Sequence, residues 1–185
     1  PVDLASAAGQ RAASLSAVTD EVTRTQQETA LATRTQALGA TSQQIEAESE
    51  RIARLTFHWP TDGGITSPWG MRLHPILRYT RMHGGVDIGG TCGQSIWAAQ
   101  DGVVTDRSYG SQSGNQLRID HGDLGGTKVE TAYLHISEFK VNVGDRVKRG
   151  QVIATVGNTG LSTACHLHFA MYENGVNTDP EKRLP

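Results

Sequence analysis

The composition of the chain changes sharply between Leu55 and Phe57. All ten aromatic residues, all seven histidines and 19 of the 21 glycines lie from Phe57 onward. Residues 1–55 are instead rich in Ala, Gln, Glu, Thr, Ser and Arg, a composition that favours helices. We therefore expect a helical or coiled-coil extension over residues 1–56 and a separate domain over residues 57–185.

A thin hydrophobic stripe runs along the N-terminal segment. Leu31, Leu38, Ile45 and Ile52 recur every seven residues, which is the repeat of a helix that packs against another helix. Because threonines interrupt the stripe, it predicts a long helix or a weak coiled coil, packed within the chain or on a partner protein. A partly disordered linker is the alternative.

Short apolar runs broken by Gly, Asn and Asp make up the chain from Phe57 onward. They follow one another at short spacing with turn residues between them, and no long helical pattern interrupts them. This predicts a mainly β domain with an antiparallel sheet or barrel rather than βαβ units. The runs that we expect to form strands are residues 95–99, 102–104, 116–119, 129–134 and 151–156.

Charge and hydropathy exclude several classes of partner. The formal charge of -2 and the pI of about 6.4 give no basic surface, so nucleic acid is not an expected partner. No apolar run approaches the roughly 20 residues needed to cross a bilayer. No signal peptide is visible after Pro1, and we expect a mature or trimmed fragment.

Two histidines stand two apart in the segment Cys165-His166-Leu167-His168-Phe169. In a β-strand this spacing places both imidazoles on one face and directs Leu167 and Phe169 into a core. Imidazoles paired in this way often bind a metal, although His-x-His also occurs with a structural role or by chance.

His83 and Asp87 are a second pair of candidate ligands. Four residues apart, they lie on the same face of an extended strand, and the two adjacent glycines between them disfavour a helix. With one imidazole of the His-x-His strand they make three protein ligands and leave a fourth position for water, as in catalytic zinc sites. Two imidazoles among three ligands favour zinc over calcium or magnesium. A hydrogen-bonded His–Asp pair near a turn is the alternative.

The wider pattern resembles the lysostaphin/LytM-type zinc metalloendopeptidases, which cut peptidoglycan peptides. The resemblance covers residues 58–181 and leaves residues 1–55 uncovered. The motifs that carry it are Ser67-Pro68-Trp69-Gly70-Met71-Arg72 with His74-Pro75, His83-x-x-x-Asp87, Ala98-Ala99-x-Asp101-Gly102-Val103-Val104, Gly114-Asn115 with Ile119-Asp120-His121-Gly122, Tyr133-Leu134-His135, Val147-Lys148-Arg149-Gly150-Gln151 and Gly157-x-Thr159-Gly160-x-Ser162-Thr163-x-x-His166-Leu167-His168-Phe169.

The resemblance implies a lysostaphin/LytM-type catalytic domain, an antiparallel β-sheet of the barrel-sandwich-hybrid kind, with Zn2+ bound by His83, Asp87 and His168. His135 and His166 would be the catalytic histidines that orient the water and stabilise the developing oxyanion. The implied function is an endopeptidase that hydrolyses peptide bonds in peptidoglycan stem peptides or cross-bridges. The alternative is a non-catalytic relative that activates another cell-wall hydrolase, although such relatives generally lack one or more of these five residues.

Cys92 and Cys165 depart from the family pattern, which commonly has proline at both positions. They follow the Asp87 segment and precede the His166 segment, so they come together if both segments line one site, and we predict a Cys92–Cys165 disulfide. A disulfide indicates an oxidising, extracytoplasmic compartment. The alternative is a cysteine that acts as a nucleophile or zinc ligand, although the histidine–aspartate set is already complete.

Other residues of the pattern have less specific roles. Tyr133, two before His135, is expected on the same side of its strand, where it lines the cleft or packs. Arg72 and Asn115 are expected to be structural or substrate-lining. His121 is expected at a turn or in a hydrogen bond rather than on the metal.

Three further expectations concern the edges of the pattern. His74 could edge the groove, and His58 is expected to be incidental. Residues 143–153 also resemble biotinyl and lipoyl carrier domains, which we attribute to shared strand architecture because a carrier has no use for the histidine set. The N-terminal helix could restrain activity by packing near the groove, or could act as a spacer.

Overall fold

The computed structural model describes residues 4–73 and 78–185. The chain divides into two compact units after Arg51. The first is helical, and the second contains the β-strands. His74, expected at the edge of the groove, lies outside the described residues.

A helix of 52 residues, α1 (Leu4–Leu55), forms the N-terminal part, as the composition predicts. Pairs one turn apart stabilise it, as where Arg51 donates to the Glu48 carboxylate at 2.7 Å. The stripe from Leu31 to Ile52 is solvent-exposed, with 53–66% of each residue accessible. The coiled coil therefore stays a prediction. Among the described residues, no helix is both long and apolar enough to cross a membrane.

Antiparallel strands joined by turns and loops follow in the rest of the described chain. Their bounds are β1 Ile65–Ser67, β2 Gly70–Leu73, β3 Thr80–His83, β4 Val86–Gly89, β5 Ser95–Trp97, β6 Gly102–Gly110, β7 Gly114–Asp123, β8 Lys128–Ile136, β9 Glu138–Phe139, β10 Arg146–Val147, β11 Val152–Thr155, β12 His166–Glu173 and β13 Val176–Thr178. A 3-10 turn, Pro180–Lys182, follows β13. Each of the five predicted runs lies wholly or partly on an observed strand.

The largest sheet has the order β1-β4-β12-β8-β7-β6-β10, with β13 also paired to β12. A three-stranded sheet has the order β5-β11-β9, and β2 and β3 form a separate hairpin. The predicted mainly antiparallel β domain with a long N-terminal helix is therefore confirmed.

The core packs beneath β12, which lies between β4 and β8 in the main sheet. Leu167 and Phe169 are fully buried, together with Val86 and Ile88 of the neighbouring strand. This confirms the alternation predicted for the His-x-His strand. The two histidines therefore lie on a strand whose opposite face is anchored in the core.

The predicted disulfide is present between Cys92 and Cys165, whose Cα atoms are 5.3 Å apart. Cys92 follows β4, and Cys165 immediately precedes β12. The bond therefore joins the segments that lead out of the Asp87 strand and into the His166 strand.

Candidate metal centre

Asp87 and His168 face each other on adjacent central strands. β4 and β12 pair in a register that places Asp87 opposite His168. Side chains opposite each other in an antiparallel pair have Cβ atoms about 4.5–5.5 Å apart, so the two can share a ligand. His166 lies two residues earlier on β12 and therefore on the same face.

His83 reaches this face from a different sheet. It ends β3, which pairs with β2, whereas Asp87 belongs to β4 of the main sheet. The prediction that both lie on one extended strand is wrong, because the chain turns at Gly84 and Gly85. The turn needs glycine at position 85, where a Cβ would collide with the His168 ring.

Three atoms that could bind a metal ion, one each from His83, Asp87 and His168, lie close together where these strands meet. His83 Nε2 lies 3.1 Å from Asp87 Oδ1 and 3.0 Å from His168 Nδ1. His168 Nδ1 lies 2.9 Å from the same aspartate oxygen. Among the described residues, these three form a group whose atoms could hold a metal ion.

The contact of His83 Nδ1 decides which ring nitrogen of His83 carries the proton. His83 Nδ1 lies 2.8 Å from the Pro68 carbonyl oxygen, which can only accept a hydrogen bond. Nδ1 therefore carries the proton, and the lone pair of Nε2 faces Asp87 Oδ1 and His168 Nδ1. A second hydrogen bond of this kind is what orients a metal-binding histidine. Two imidazoles and one carboxylate are a donor set that suits a transition metal better than calcium or magnesium.

Asp87 stays ionised at this position. Burial alone would raise its pKa, but the neighbouring imidazoles of His166, His168 and His83 outweigh burial and lower the pKa. Arg72 adds a hydrogen bond to the second carboxylate oxygen, Oδ2, at 3.2 Å. Arg72 therefore supports the Asp87 carboxylate, and it also lines the surface groove, so both roles that the sequence left open stay open.

A β-bulge in β8 brings His135 to the same face. Between the pairs Leu117–Tyr133 and Asn115–Ile136, β8 contains one residue more than β7. His135 has a φ of 62°, in the left-handed region that non-glycine residues seldom adopt. The bulge breaks the alternation, so Tyr133 is fully buried in the core while His135 lines the groove. The expectation that Tyr133 lies on the same side as His135 is therefore wrong, and Tyr133 packs.

A backbone carbonyl holds the His135 ring. His135 Nδ1 donates to the Thr159 carbonyl oxygen at 2.7 Å, so the lone pair remains on Nε2. Burial lowers the pKa of His135 to about 4, and the nearby His166 and His168 act in the same direction. His135 is consequently neutral across the physiological range.

The pKa of His166 is shifted in the opposite direction from that of His135. Its Nδ1 lies 2.9 Å from the Ala164 carbonyl oxygen, and its Nε2 lies 3.5 Å from Asp87 Oδ1. Burial would lower its pKa, but the interaction with the Asp87 carboxylate outweighs burial and raises the pKa. The His135 and His166 ring centroids are 4.7 Å apart. Two neighbouring imidazoles thus have pKa values displaced in opposite directions, a combination found where one group accepts a proton and the other donates a hydrogen bond.

His83, Asp87, His135, His166 and His168 line one surface groove, called the groove below. Its lining also includes the hairpin residues Arg72, Arg81 and Met82, the turn around Gln112 between β6 and β7, and the loop of residues 161–163. The groove is open at the surface, so an extended chain can enter it. The sequence did not single out Thr159, Arg81 or Gln112 as site residues, because the first acts through a backbone carbonyl and the others owe their position to the fold.

The other residues that the sequence singled out lie away from the three candidate ligand atoms. His121 is buried, with Nδ1 2.8 Å from the Asp101 carbonyl oxygen, as expected for a hydrogen-bonding residue. His58 lies 2.6 Å from the Trp59 carbonyl oxygen, outside the groove. The Asn115 side chain donates to the Ile136 carbonyl at 3.0 Å, so its role is structural.

Comparisons with known proteins agree with this architecture. The chain matches peptidase family M23 over residues 81–180. Peptidoglycan DD-endopeptidase ShyC of Vibrio cholerae is 42% identical over 109 residues, which are 59% of this chain and 24% of that protein. A zinc-containing peptidase structure from Vibrio cholerae is 34% identical with a TM-score of 0.62, covering 70% of this chain and 41% of that chain.

The catalytic domain of lysostaphin from Staphylococcus simulans is 31% identical with a TM-score of 0.56, covering 66% of this chain and 90% of that chain. The curated relatives are much longer, and the chain spans about a quarter of their length. The match to the family covers more than half of the chain, and the resemblance predicted from the motifs is confirmed. The chain belongs to peptidase family M23.

Proposed function

We propose that the protein is a zinc-dependent endopeptidase that hydrolyses peptide bonds in peptidoglycan stem peptides or cross-bridges. The observation that supports this best is the convergence of His83 Nε2, Asp87 Oδ1 and His168 Nδ1 within 3.1 Å of one another. The printed name of ShyC, a peptidoglycan DD-endopeptidase, supports the substrate class.

The spacing of the three atoms fits zinc. Ligands about 2.0–2.1 Å from a tetrahedral zinc ion are about 3.3 Å from one another, close to the separations in the groove. His83, Asp87 and His168 would therefore hold the ion. Bound there, zinc supplies Lewis-acid polarisation of a peptide carbonyl and acidifies a water molecule.

His135 is suited to accept the proton of the attacking water. Its Nδ1 hydrogen is engaged by the Thr159 carbonyl, so Nε2 is an available acceptor that needs no prior deprotonation. His166 is suited to donate a hydrogen bond to the oxygen that becomes negatively charged during the reaction. Both rings lie beside the three ligands, with His135 6.1 Å from His168 between ring centroids.

The disulfide supports an extracytoplasmic location, whether secreted, periplasmic or associated with the cell wall. Structural disulfides persist in oxidising compartments and are rare in the cytosol. Peptidoglycan lies in the same compartment, so location and substrate class agree.

Digestion of purified sacculi tests the proposal. We expect the zinc-loaded chain to release soluble fragments from sacculi of known cross-link chemistry, and a chelator to abolish release until zinc is restored. Mass spectrometry of the fragments identifies the cleaved bond. The variant His83→Ala should lose both zinc and activity, whereas His58→Ala, a histidine outside the groove, should keep both.

The alternative is a non-catalytic activator of another cell-wall hydrolase. It predicts intact sacculi with the zinc-loaded chain alone and faster digestion when a separate hydrolase is added. We favour the enzyme because the three candidate ligands and both neighbouring histidines are present together. Intact sacculi at full zinc occupancy, over a range of cross-link types, would reject the endopeptidase.

A further inference from the structure

Two arginines face each other on the groove side of the β2–β3 hairpin. Arg72 pairs with Arg81 in the hairpin register, so the two side chains leave the same face, and both line the groove. Like charges directly opposite on a sheet are destabilising. The pair therefore needs negative charge nearby.

Only one of the two guanidinium groups has a carboxylate partner. Arg72 donates to Asp87 Oδ2 at 3.2 Å. Among the described residues, no carboxylate lies within 4.0 Å of the Arg81 guanidinium, whose hydrogen bond goes to the neutral Gln112 Oε1 at 3.1 Å. The side chain of Asp87 is already shared with three histidines and Arg72, and no other acidic residue lines the described part of the groove.

Arg81 also lies at a short distance from the metal-binding face. It precedes His83 by two residues on β3, so both side chains leave the same face of the hairpin. Two residues of a strand span about 7 Å, which is also the length of about two residues of an extended peptide. A substrate bound with its scissile bond beside His83 thus brings a residue within two positions of that bond next to Arg81.

We propose that Arg81, oriented by Gln112, forms a carboxylate-binding subsite of the groove. Resting on the proposed endopeptidase function, this assigns the substrate to peptides that carry a free carboxylate within two residues of the cleaved bond. Arginine presents two parallel N–H groups that match a carboxylate, and such charge-assisted bonds are among the stronger polar contacts. A diaminopimelyl cross-link can offer that carboxylate, whereas an all-glycine bridge offers none within its length.

Two synthetic cross-linked stem peptides test the subsite. They are identical except that a residue within two positions of the cleaved bond carries a carboxylate in one and a carboxamide in the other. With the zinc-loaded full chain, we expect kcat/KM to be about tenfold or more higher for the carboxylate peptide. Arg81→Gln should abolish the difference in kcat/KM between the two peptides, with the larger loss on the carboxylate peptide. Arg81→Lys should retain part of the preference, because it keeps the charge and loses the paired N–H groups.

Arg146→Gln is the matched control, since it removes the same charge from an exposed position on β10, outside the groove. Zinc content and thermal midpoint are measured for every variant, so that a folding defect is recognised. Equal kcat/KM for the two peptides, or an equal loss on both in Arg81→Gln, would overturn the subsite while leaving the endopeptidase intact.

Binding gives a readout that does not depend on turnover. Isothermal titration of both peptides into the metal-free full chain should show tighter binding of the carboxylate peptide, and Arg81→Gln should remove the difference. If neither peptide is hydrolysed, the endopeptidase proposal fails for this substrate class, and the titration still decides whether Arg81 selects a carboxylate. Equal affinities would reject the subsite.

Discussion

At the scale of single residues, His121 shows how a buried histidine is kept neutral. Its Nδ1 donates to the Asp101 carbonyl at 2.8 Å, and its Nε2 lies 2.8 Å from Thr131 Oγ1. The Thr131 hydroxyl lies 3.2 Å from the Tyr133 hydroxyl, which accepts from the Ala99 amide at 2.9 Å. Because the carbonyl can only accept, Nδ1 holds the ring proton, and the lone pair of Nε2 faces the Thr131 hydroxyl. The chain of hydrogen bonds satisfies these groups beneath the sheet.

His121 makes the stability of the protein depend on pH. Burial lowers the pKa of His121 below its ordinary value of 6.5, and the neighbouring carbonyl and aspartates only partly oppose this. The unfolded chain therefore binds a proton at His121 that the folded chain does not, so the free energy of unfolding falls as pH drops below 6.5.

We expect the natural protein to lose stability between neutral and mildly acidic pH more steeply than His121→Gln, by up to about 1.4 kcal/mol per pH unit. Urea unfolding of metal-free protein at several pH values measures both slopes. The variant can be less stable at neutral pH without affecting the comparison. Parallel slopes for the two proteins would contradict the prediction.

At the scale of elements, the β8 bulge is fastened to the loop that precedes β12. Thr159 Oγ1 accepts from the Asn115 amide at 3.0 Å and donates to the Ile136 carbonyl at 3.0 Å. The same residue's carbonyl accepts from His135. Gly114 and Gly160 permit this approach, because a Cβ on either would collide with the backbone of the other loop. One threonine therefore holds the loop, the bulge and the imidazole in a single arrangement.

Replacing Thr159 should affect turnover more than metal binding. Thr159→Val removes the acceptor of the Asn115 amide, at a cost of about 1–3 kcal/mol, and one of the two donors to the Ile136 carbonyl. The loop that holds the His135 ring is thereby loosened. We expect kcat to fall about tenfold or more with zinc content unchanged and KM little altered. Thr159→Ser keeps the hydroxyl and should restore most of the activity. Loss of zinc in the valine variant, or no rescue by serine, would argue against this role.

The disulfide is a second constraint on the same elements. It joins Cys92 to Cys165 across a sequence separation of 73 residues. In the chain-entropy model, closing a loop of this length stabilises the folded state by roughly 4 kcal/mol. The double variant Cys92→Ser/Cys165→Ser should therefore have a markedly lower thermal midpoint by circular dichroism.

A reductant supplies the control for this prediction. It should lower the midpoint of the natural protein toward that of the double variant, and it should leave the double variant unchanged. Two reactive thiols in the unfolded, unreduced natural protein would show that the bond does not form in solution.

At the scale of the whole molecule, the second unit contains every residue that we assign to the groove. It begins at Ile52, and its core includes Phe57, which is 2% exposed, and partly buried Leu55. Gln100 and Arg149 both donate to the Thr56 carbonyl, at 2.7 and 3.1 Å. Leu55, Thr56 and Phe57 therefore pack with the β domain.

We expect a chain that begins at Ile52 to fold and to hydrolyse sacculi at the rate of the full chain, because the groove and its supporting contacts remain. Thermal unfolding and initial rates of the two chains measure this. A faster shortened chain would identify α1 as inhibitory, the role considered from the sequence. A shortened chain that fails on sacculi but cleaves soluble peptides would instead assign α1 to substrate recruitment.

Much of the site could be predicted because its chemistry depends on which side chains are present. His83, Asp87 and His168 were predicted together from residue type, spacing and family motifs, and the structure brings them into contact. The disulfide was predicted from two unusual cysteines beside those motifs. Strand alternation predicted correctly that Leu167 and Phe169 are buried.

Local periodicity failed where the backbone departs from regular geometry. His83 and Asp87 share a face through a turn at Gly84 and Gly85, and not along one strand. The bulge separates Tyr133 from His135, although a period of two places them together. The Gly84-Gly85 pair is a turn signal that the single-strand interpretation did not use. The bulge has no signal in neighbouring residue types, because it depends on how distant strands pair.

The sequence by itself determined the helical and β parts, the candidate ligands and the cysteine pair, because composition, short-range period and side-chain chemistry are properties of the chain alone. Only the tertiary structure decided that the Thr159 carbonyl holds His135 and that Arg81 stands in the groove without a carboxylate partner among the described residues. The physical reason is that both depend on groups far apart in sequence. Strand register and loop packing place such groups at hydrogen-bond distance, and neither can be deduced from the local order of residues.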